Sequence, residues 1–156
     1  MTAALETAAP SAAVIRPATD GEEAALGALW DACGLTRPHN PPTWDIPFAR
    51  ANPSSEVLAA VEADGRVVGS VLCGHDGHRG WLYYVAVHPD HRGHGLGRRL
   101  VRAGEDWLAA QGIWKVMLMV RDTNAAVQDF YRRLGYDRDP VLVMSRRVQP
   151  PPNERS

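Results

Sequence analysis

The residues best suited to chemistry lie in one short stretch, Arg92-Gly93-His94-Gly95-Leu96-Gly97, where three glycines alternate with other residues. The stretch follows an apolar run and a Pro-Asp break, and it precedes a segment with helical spacing of apolar residues. Alternating glycines let the backbone approach an anion closely. The start of the following helix presents free N–H groups and the positive end of its dipole to the same place. With Arg98 and Arg99 beside it, this turn is predicted to bind a pyrophosphate.

Two common nucleotide-binding motifs do not fit this stretch. A Rossmann fingerprint needs G-x-G-x-x-G and an acidic residue about 20 residues further on, whereas the spacing here is G-x-G-x-G and no strand with such an acid follows the helix. A P-loop needs Gly-Lys-Ser/Thr, and the only lysine of the chain is Lys115. The remaining alternative is a glycine-rich turn without a ligand, which is uncommon directly between a strand and a helix.

The residue types also raise the question of a metal site. Five histidines lie close together in the sequence: His75, His78, His88, His91 and His94. The last three fall inside or beside the glycine turn, and no Cys or Glu partner has metal-ligand spacing. Cys33 and Cys73 are too few for a four-thiolate zinc site or a disulfide framework, and they are interpreted as small buried hydrophobes. No metal is therefore expected.

A pyrophosphate turn needs a strand before it and a helix after it, and the wider pattern predicts both. Strands are expected at 13–16, on either side of Asp64-Gly65, at 80–88, at 116–120 and at 141–147; helices are expected at 21–33, 43–51, 95–110 and 125–134. Asp64-Gly65 between two apolar runs is a strong hairpin signal. The order β α α β β β α β α β predicts an α/β (α+β) fold, with a mixed sheet and helices on both faces.

Length and composition limit the classes of function. The 156 residues are 45% hydrophobic and 22% charged, which suits one globular domain and excludes wholesale disorder. The formal net charge of −1 gives no bulk attraction to polyanions. No membrane span or signal peptide is recognisable, so a cytoplasmic protein is expected. We expect a frayed tail at 1–12, the domain at 13–148 and a Pro-rich tail at 149–156.

Two motifs in this order resemble the GNAT superfamily of N-acetyltransferases. Residues 92–97 match its R/Q-x-x-G-x-G/A signature, and NAAVQDFYRRLGY at 124–136 matches N-x-x-x-x-x-[FL]-Y-x-x-x-G-[FY]. The resemblance extends over roughly residues 14–148, and LTRPHN, HDGHRG and VLVMSRRV look like the bacterial YpeA-like subgroup. It implies the GNAT fold, in which a mixed sheet of about seven strands splays at its centre and is flanked by four helices.

The resemblance also implies acetyl-CoA as cosubstrate and a set of residues that hold it. The pantetheine arm would pair with the backbone of Val85, Ala86 and Val87 and contact Asn124. The pyrophosphate would lie on the amides of Arg92, Gly93, His94, Gly95, Leu96, Gly97 and Arg98. Tyr131 matches the family tyrosine beside the sulfur, which acts as general acid. Packing of its ring beside Phe130 is the structural alternative.

The acceptor side is less determined. Relatives that acetylate an N-terminal alanine carry a glutamate in L-E-V-R, where this chain has Leu118-Met119-Val120-Arg121, so their mechanism is not carried over. The resemblance implies that the loop between the first two helices, with Arg37-Pro38-His39-Asn40 and Trp44-Asp45, forms one wall of the acceptor site. The candidates for the acceptor site are Arg37, His39, Asp76, His78, Tyr83 and Tyr84. Asp76 and His78 are either proton acceptors acting through water or solvated turn residues. Arg37 either pairs with an acceptor carboxylate or makes a structural salt bridge. Strand alternation places the two tyrosines on opposite faces, so at least one is expected in the core.

The resulting leading hypothesis is an acetyl-CoA-dependent N-acetyltransferase. It would act on a primary amine of a small molecule, peptide or protein by direct attack in a ternary complex. The alternative is a catalytically silent acyl-CoA-binding sensor or regulatory module, which the missing glutamate at Met119 keeps open. Binding of nucleic acid by the arginines is disfavoured by the neutral overall charge and the lack of an aromatic platform. No membrane partner is expected, and a homodimer is compatible with the resemblance.

Overall fold

The computed structural model describes residues 9–156, which form one sheet with helices packed on both of its faces. The strands are β1 (Val14–Pro17), β2 (Ser55–Val61), β3 (Val67–His75), β4 (Gly80–Val87) and β5 (Val116–Leu118). The helices are α1 (Glu23–Ala32), α2 (Pro42–Arg50), α3 (Leu96–Ala110) and α4 (Ala125–Arg133), and short 3₁₀ turns lie at Asp20–Glu22, Pro89–His91 and Pro152–Glu154. The predicted fold class is therefore confirmed.

The strands lie side by side in chain order, from β1 to β5. The first four are antiparallel neighbours, whereas β5 runs parallel to β4 because α3 carries the chain back across the sheet. Asp64-Gly65 forms the hairpin turn as predicted, and Gly65 has a φ of +86° that suits glycine. The mixed sheet follows from these two kinds of connection.

The strand predicted at 141–147 is wrong, and the described residues form five strands rather than about seven. Leu142 and Met144 of this segment are each 92% exposed, and no neighbouring strand pairs with it. A strand is stable only when another strand satisfies its backbone N–H and C=O groups. The apolar and β-branched residues of this segment favour an extended backbone, but they do not show whether an adjacent strand is present to pair with it.

Alternating side chains of the sheet build one core on each face. On β2, Val57 and Ala59 pack with Trp30 of α1, whereas Leu58 and Ala60 pack with α3. Trp30 is fully buried, and its indole N–H donates to Ser70 on β3 at 2.9 Å. The sheet therefore packs against α1 and α2 on one face and against α3 and α4 on the other.

Helix α3 approaches the sheet closely at Gly104. A Cβ atom at this position would lie 2.8 Å from Leu82 Cδ2 and 3.4 Å from Val71 Cγ2. Both neighbours are buried, so they have little room to move. This contact fixes the depth at which α3, and with it the turn that precedes α3, lies on the sheet.

Gly104→Val is expected to lower the free energy of unfolding by about 1–3 kcal/mol, because the added methyl groups overpack this contact. Urea unfolding monitored by circular dichroism measures the change. Ala109→Val, at an exposed position of the same helix, is the matched control and costs at most about 0.7 kcal/mol through helix propensity. Equal midpoints for the two variants would contradict the packing argument.

Both ends of the described chain contact the domain. Residues 1–8 of the predicted N-terminal tail lie outside the described residues, while Ser11 donates its N–H to the His94 carbonyl at 3.1 Å. At the other end, Asn153 donates to the Pro38 carbonyl at 2.8 Å, and the Arg155 guanidinium lies 5.2 Å from the ring centre of Trp44. Within residues 9–156, no helix is long and apolar enough to cross a membrane.

Candidate active site

Strand β4 carries a bulge at Tyr84 and Val85. Ser70 of β3 pairs with Ala86 and Leu72 pairs with Tyr83, so two residues of β4 lie opposite one residue of β3. Tyr84 has a φ of +49°, which is rare for a residue other than glycine and is a source of local strain. The Ser70 hydroxyl holds this conformation by donating to the Tyr84 carbonyl at 2.9 Å.

The bulge lies where β4 and β5 part. The two strands pair only through residues 80–82 and 116–118, and β4 continues to Val87 without a strand on that side. The predicted pantetheine-binding residues Val85, Ala86 and Val87 therefore border an open gap in the sheet. The Val87 carbonyl already accepts from Arg92 Nε at 3.3 Å and from Cys33 Sγ at 3.3 Å.

The glycine turn follows β4 and leads into α3. Gly93 and Gly95 have φ values of +84° and +76°, and no atom lies within 4 Å of the place where a Cβ would stand. The first helical bond of α3 is donated by Arg99 to the Gly95 carbonyl at 3.2 Å, so the amides of residues 96–98 have no acceptor within the helix. These open glycines and free N–H groups fit a bound pyrophosphate.

The three arginines near this turn are used differently. Arg99 donates to the carbonyls of Ser11 at 2.9 Å and Ala13 at 2.8 Å, and therefore anchors the N-terminal segment. Arg92 folds back onto Val87, as described above. Arg98 is exposed and contacts no hydrogen-bond partner among the described residues, which makes it the arginine available to an anion.

Tyr131 lies on α4, with its ring edge-on to Phe130 at 5.0 Å and to Tyr136 at 5.6 Å between ring centres. Burial raises the pKa of Tyr131 to about 12, so its hydroxyl keeps its proton at neutral pH. Among the described residues this hydroxyl has no hydrogen-bond partner, whereas Tyr136 donates to Glu105 at 2.8 Å. The Tyr131 hydroxyl is thus available to donate to a substrate.

Asn124 caps α4, since its side-chain oxygen accepts from the Val127 N–H at 3.2 Å. Phe130 of the same helix packs against the glycine turn, and a Cβ at Gly97 would lie 3.3 Å from its ring. The predicted second motif, residues 124–136, is therefore brought against the first by this contact. The amide nitrogen of Asn124 is the part of the side chain that is not used for the cap.

A cleft of about 360 Å³ lies on the side of the sheet that carries α1 and α2. Its walls are Asn40, Asp45, Phe48, Ala49, Ser55, Leu72, Tyr83 and Tyr84. Tyr83 and Tyr84 line the same cleft, contrary to the alternation expected for neighbouring strand residues. The reason is the bulge, which turns Tyr84 so that its ring stacks on Trp30 at 3.7 Å. Tyr83 and Tyr84 directly precede residues 85–87 on β4, so the cleft lies next to the predicted pantetheine site along this strand.

Asp45 belongs to the segment expected to form one wall of the acceptor site, but it was not singled out there as a functional residue. It lies on α2, and its carboxylate accepts from the Tyr84 hydroxyl at 3.0 Å across 39 positions of the chain. Burial raises the pKa of Asp45, and the hydrogen bond from Tyr84 opposes that shift. The sequence around it contains no motif that could have singled it out, because its environment depends on the bulge in β4.

The other predicted acceptor residues lie outside this cleft. Arg37 donates to the carbonyls of Gly34 at 3.1 Å and Thr36 at 2.7 Å, and His39 is exposed on the same loop. Asp76 accepts from the backbone N–H groups of Arg79 and His78 in the turn between β3 and β4, and these bonds lower the pKa of Asp76. His78 is exposed in that turn. The structure therefore brings only the two tyrosines of this set together.

The histidines make separate contacts rather than facing one common point. His91 Nε2 lies 3.1 Å from Glu62, His94 Nδ1 lies 2.7 Å from the Ala9 carbonyl, and His88 accepts from the Asp90 N–H at 3.2 Å. Within residues 9–156, no group of three or more His, Cys, Asp or Glu side chains has the arrangement of a metal site.

Comparison with known proteins gives one consistent family. Residues 24–136 match the sequence profile of the acetyltransferase (GNAT) family. An acetyltransferase of Yersinia pestis (strain Pestoides F) is 41% identical over 129 residues, which are 83% of this chain and 89% of that protein. An acetyltransferase of Sodalis glossinidius (strain morsitans) is 43% identical over 121 residues, covering 77% of this chain and 84% of its own length.

Solved structures agree on the fold. The aminoglycoside N-acetyltransferase AAC(6')-Iy, in complex with the bisubstrate analog CoA-S-monomethyl-acetylneamine, superposes with a TM-score of 0.76. It is 18% identical, over 89% of this chain and all of that one. A putative acetyltransferase from Agrobacterium tumefaciens str. C58 gives a TM-score of 0.73 at 21% identity, over 86% of this chain and 99% of that one. At these identities, both show a shared fold alone.

Proposed function

The chain belongs to the GNAT family of acetyltransferases, and on that premise we propose that it transfers the acetyl group of acetyl-CoA to a primary amine in a ternary complex. The observation that carries the proposal is the placement of two features along β4. The open glycine turn lies at the end of this strand, and the gap beside β5 borders residues 85–87. A cofactor with a pyrophosphate and an extended amide-containing arm needs both.

The cofactor-binding residues are proposed as follows. The amides of residues 92–98 bind the pyrophosphate, supported by the positive φ values of Gly93 and Gly95 and the free start of α3. The backbone of residues 85–87 pairs with the pantetheine amides across the gap. Asn124 contributes its amide nitrogen, while its oxygen remains the cap of α4. When bound, acetyl-CoA supplies the thioester carbonyl that the amine attacks.

Tyr131 is proposed as the general acid. Its hydroxyl is protonated at neutral pH and has no partner among the described residues, so it is able to give a proton to the departing thiolate. The ring is fixed by Phe130 and Tyr136, which orients the hydroxyl at low entropic cost. The cleft beside Tyr83 and Tyr84 is the proposed place where the acceptor amine binds. An amine that binds there as an ammonium ion must pass one proton to water before its nitrogen attacks the thioester.

Thiol release from acetyl-CoA across a panel of amines tests this function. The panel contains amino acids, polyamines, aminoglycosides, aralkylamines and peptides with free N-termini or lysines. We expect saturable release with at least one class, together with the N-acetylated product by mass spectrometry. Binding of acetyl-CoA without release by any amine would favour the silent acyl-CoA-binding module instead.

A further inference from the structure

The cleft on the α1 and α2 side has a single charged wall residue, Asp45. One carboxylate oxygen accepts from the Tyr84 hydroxyl at 3.0 Å. Within residues 9–156, no Lys, Arg or His side chain pairs with Asp45. A half-buried carboxylate without a counter-charge is electrostatically incomplete, because it has lost part of its hydration and gained one neutral donor in return.

The hydrogen-bond donor to Asp45 is held in a fixed position. Its partner Tyr84 is fixed by stacking on Trp30, with 3° between the ring planes, and by the bond from Ser70 to its backbone carbonyl. Tyr84 donates its only hydroxyl proton to Asp45 Oδ2, which leaves Oδ1 without a hydrogen-bond donor among the described residues. The two residues therefore present a fixed negative charge to whatever enters.

Aromatic rings surround this charge. Tyr83 and Tyr84 line the cleft from β4, and Phe48 lines it from α2. Phe48 is 63% exposed, so its ring is accessible to a ligand in the cleft. Aromatic faces attract cations and also bury apolar groups.

We propose that this cleft is the acceptor subsite, in which Asp45 binds the acceptor ammonium group and the aromatic rings bind its carbon skeleton. The acceptor class is then a primary amine with one positive charge on an apolar or aromatic body. This inference rests on the proposed function and specifies its substrate. Asp45 contacts the substrate in this arrangement, and Tyr84 acts as a positioning residue for Asp45.

Two other acceptor classes fit the cleft poorly. An α-amino acid brings a carboxylate, and no wall residue is cationic; Arg37, the earlier candidate, donates to backbone carbonyls of its own loop. A polyamine or aminoglycoside brings several positive charges, and the cleft offers one carboxylate. Leaving such charges unpaired in a partly desolvated site weakens binding.

A matched series of amines tests the acceptor class. Phenethylamine, phenylalanine and spermidine share a primary amine but differ in the carboxylate and in the number of charges. The kcat/KM of phenethylamine is expected to exceed those of the other two at least about tenfold, since an unpaired charge costs more than the free energy of one tenfold step. A preference for phenylalanine or spermidine would overturn the proposal.

Asp45→Asn tests the residue itself. The substitution keeps the shape and the bond from Tyr84 but removes the charge, so the KM for phenethylamine is expected to rise about 10- to 100-fold while the KM for acetyl-CoA stays unchanged. Asp64→Asn is the matched control, because it removes the same charge from an exposed hairpin turn in which Asn-Gly is equally suitable. Tyr84→Phe is expected to raise the same KM by a smaller factor.

Calorimetric binding separates failure of this inference from failure of the proposed function. Phenethylamine is titrated into wild type and Asp45→Asn, each saturated with CoA. Binding to wild type that is lost in Asp45→Asn supports the subsite, even if no acetyl transfer is detected. Equal binding to both proteins, or no binding to wild type, would overturn the subsite whatever the activity with other amines.

Discussion

Tyr131→Phe is expected to lower kcat for acetyl transfer about 100-fold or more while leaving the Kd for acetyl-CoA unchanged. The substitution removes only the hydroxyl, and the ring keeps its edge-on contacts with Phe130 and Tyr136. Because this hydroxyl has no partner among the described residues, its loss leaves no buried group unsatisfied and does not weaken the fold. Steady-state thiol release and calorimetric titration with acetyl-CoA measure the two quantities.

Tyr136→Phe is the matched control for this prediction. Its hydroxyl donates to Glu105 at 2.8 Å, so its removal costs about 1 kcal/mol of stability. It is expected to leave kcat unchanged, the opposite pattern to Tyr131→Phe. If Tyr131→Phe kept wild-type turnover, the tyrosine would be a packing residue and the proton would come from elsewhere.

The parts of the site that depend on local sequence could be predicted. The glycine turn, the start of α3 and the Asp64-Gly65 hairpin are encoded within a few residues each, since they require positive φ values and helical spacing of apolar side chains. Helices α1 to α4 begin and end within a few residues of their predicted bounds for the same reason. The mixed sheet then followed from the lengths of the connections.

The parts that depend on distant partners could not be predicted. Tyr83 and Tyr84 were expected on opposite faces, but Ser70 and Trp30 stabilise a bulge that places both in one cleft. The segment at 141–147 has strand composition and no adjacent strand. Each outcome is decided by a contact between residues far apart in the chain, and a single sequence does not display such contacts.

The same limit applies to the charged residues of the site. Arg99 is next to the predicted phosphate turn, yet it binds the carbonyls of Ser11 and Ala13. Asp45 has no motif around it in the sequence, yet it is the single charged residue of the cleft and accepts a hydrogen bond from Tyr84. Proximity in sequence shows which residues are available to a site, and the tertiary contacts decide which of them are already used.

Gly95→Ala is expected to raise the Kd for CoA about tenfold. Gly95 begins α3 with a φ of +76°, and an alanine in this left-handed conformation costs roughly 1–2 kcal/mol. The turn can relieve that strain only by rotating its peptide groups, which turns the free amides of residues 96–98 away from a bound pyrophosphate. Calorimetric titration with CoA measures the loss of affinity. Each tenfold rise in Kd corresponds to about 1.4 kcal/mol of binding free energy.

Gly112→Ala distinguishes loss of this site from general destabilisation. Gly112 lies just beyond the other end of α3, has a φ of +87°, and like Gly95 has no atom within 4 Å of an added Cβ. The two variants therefore carry the same backbone strain on the same helix, and their thermal midpoints are expected to fall by similar amounts. Only Gly95→Ala should lose affinity for CoA. Equal affinities in the two variants would mean that the amides at the start of α3 do not bind the cofactor, and the family's signature turn would then have a purely structural function in this chain.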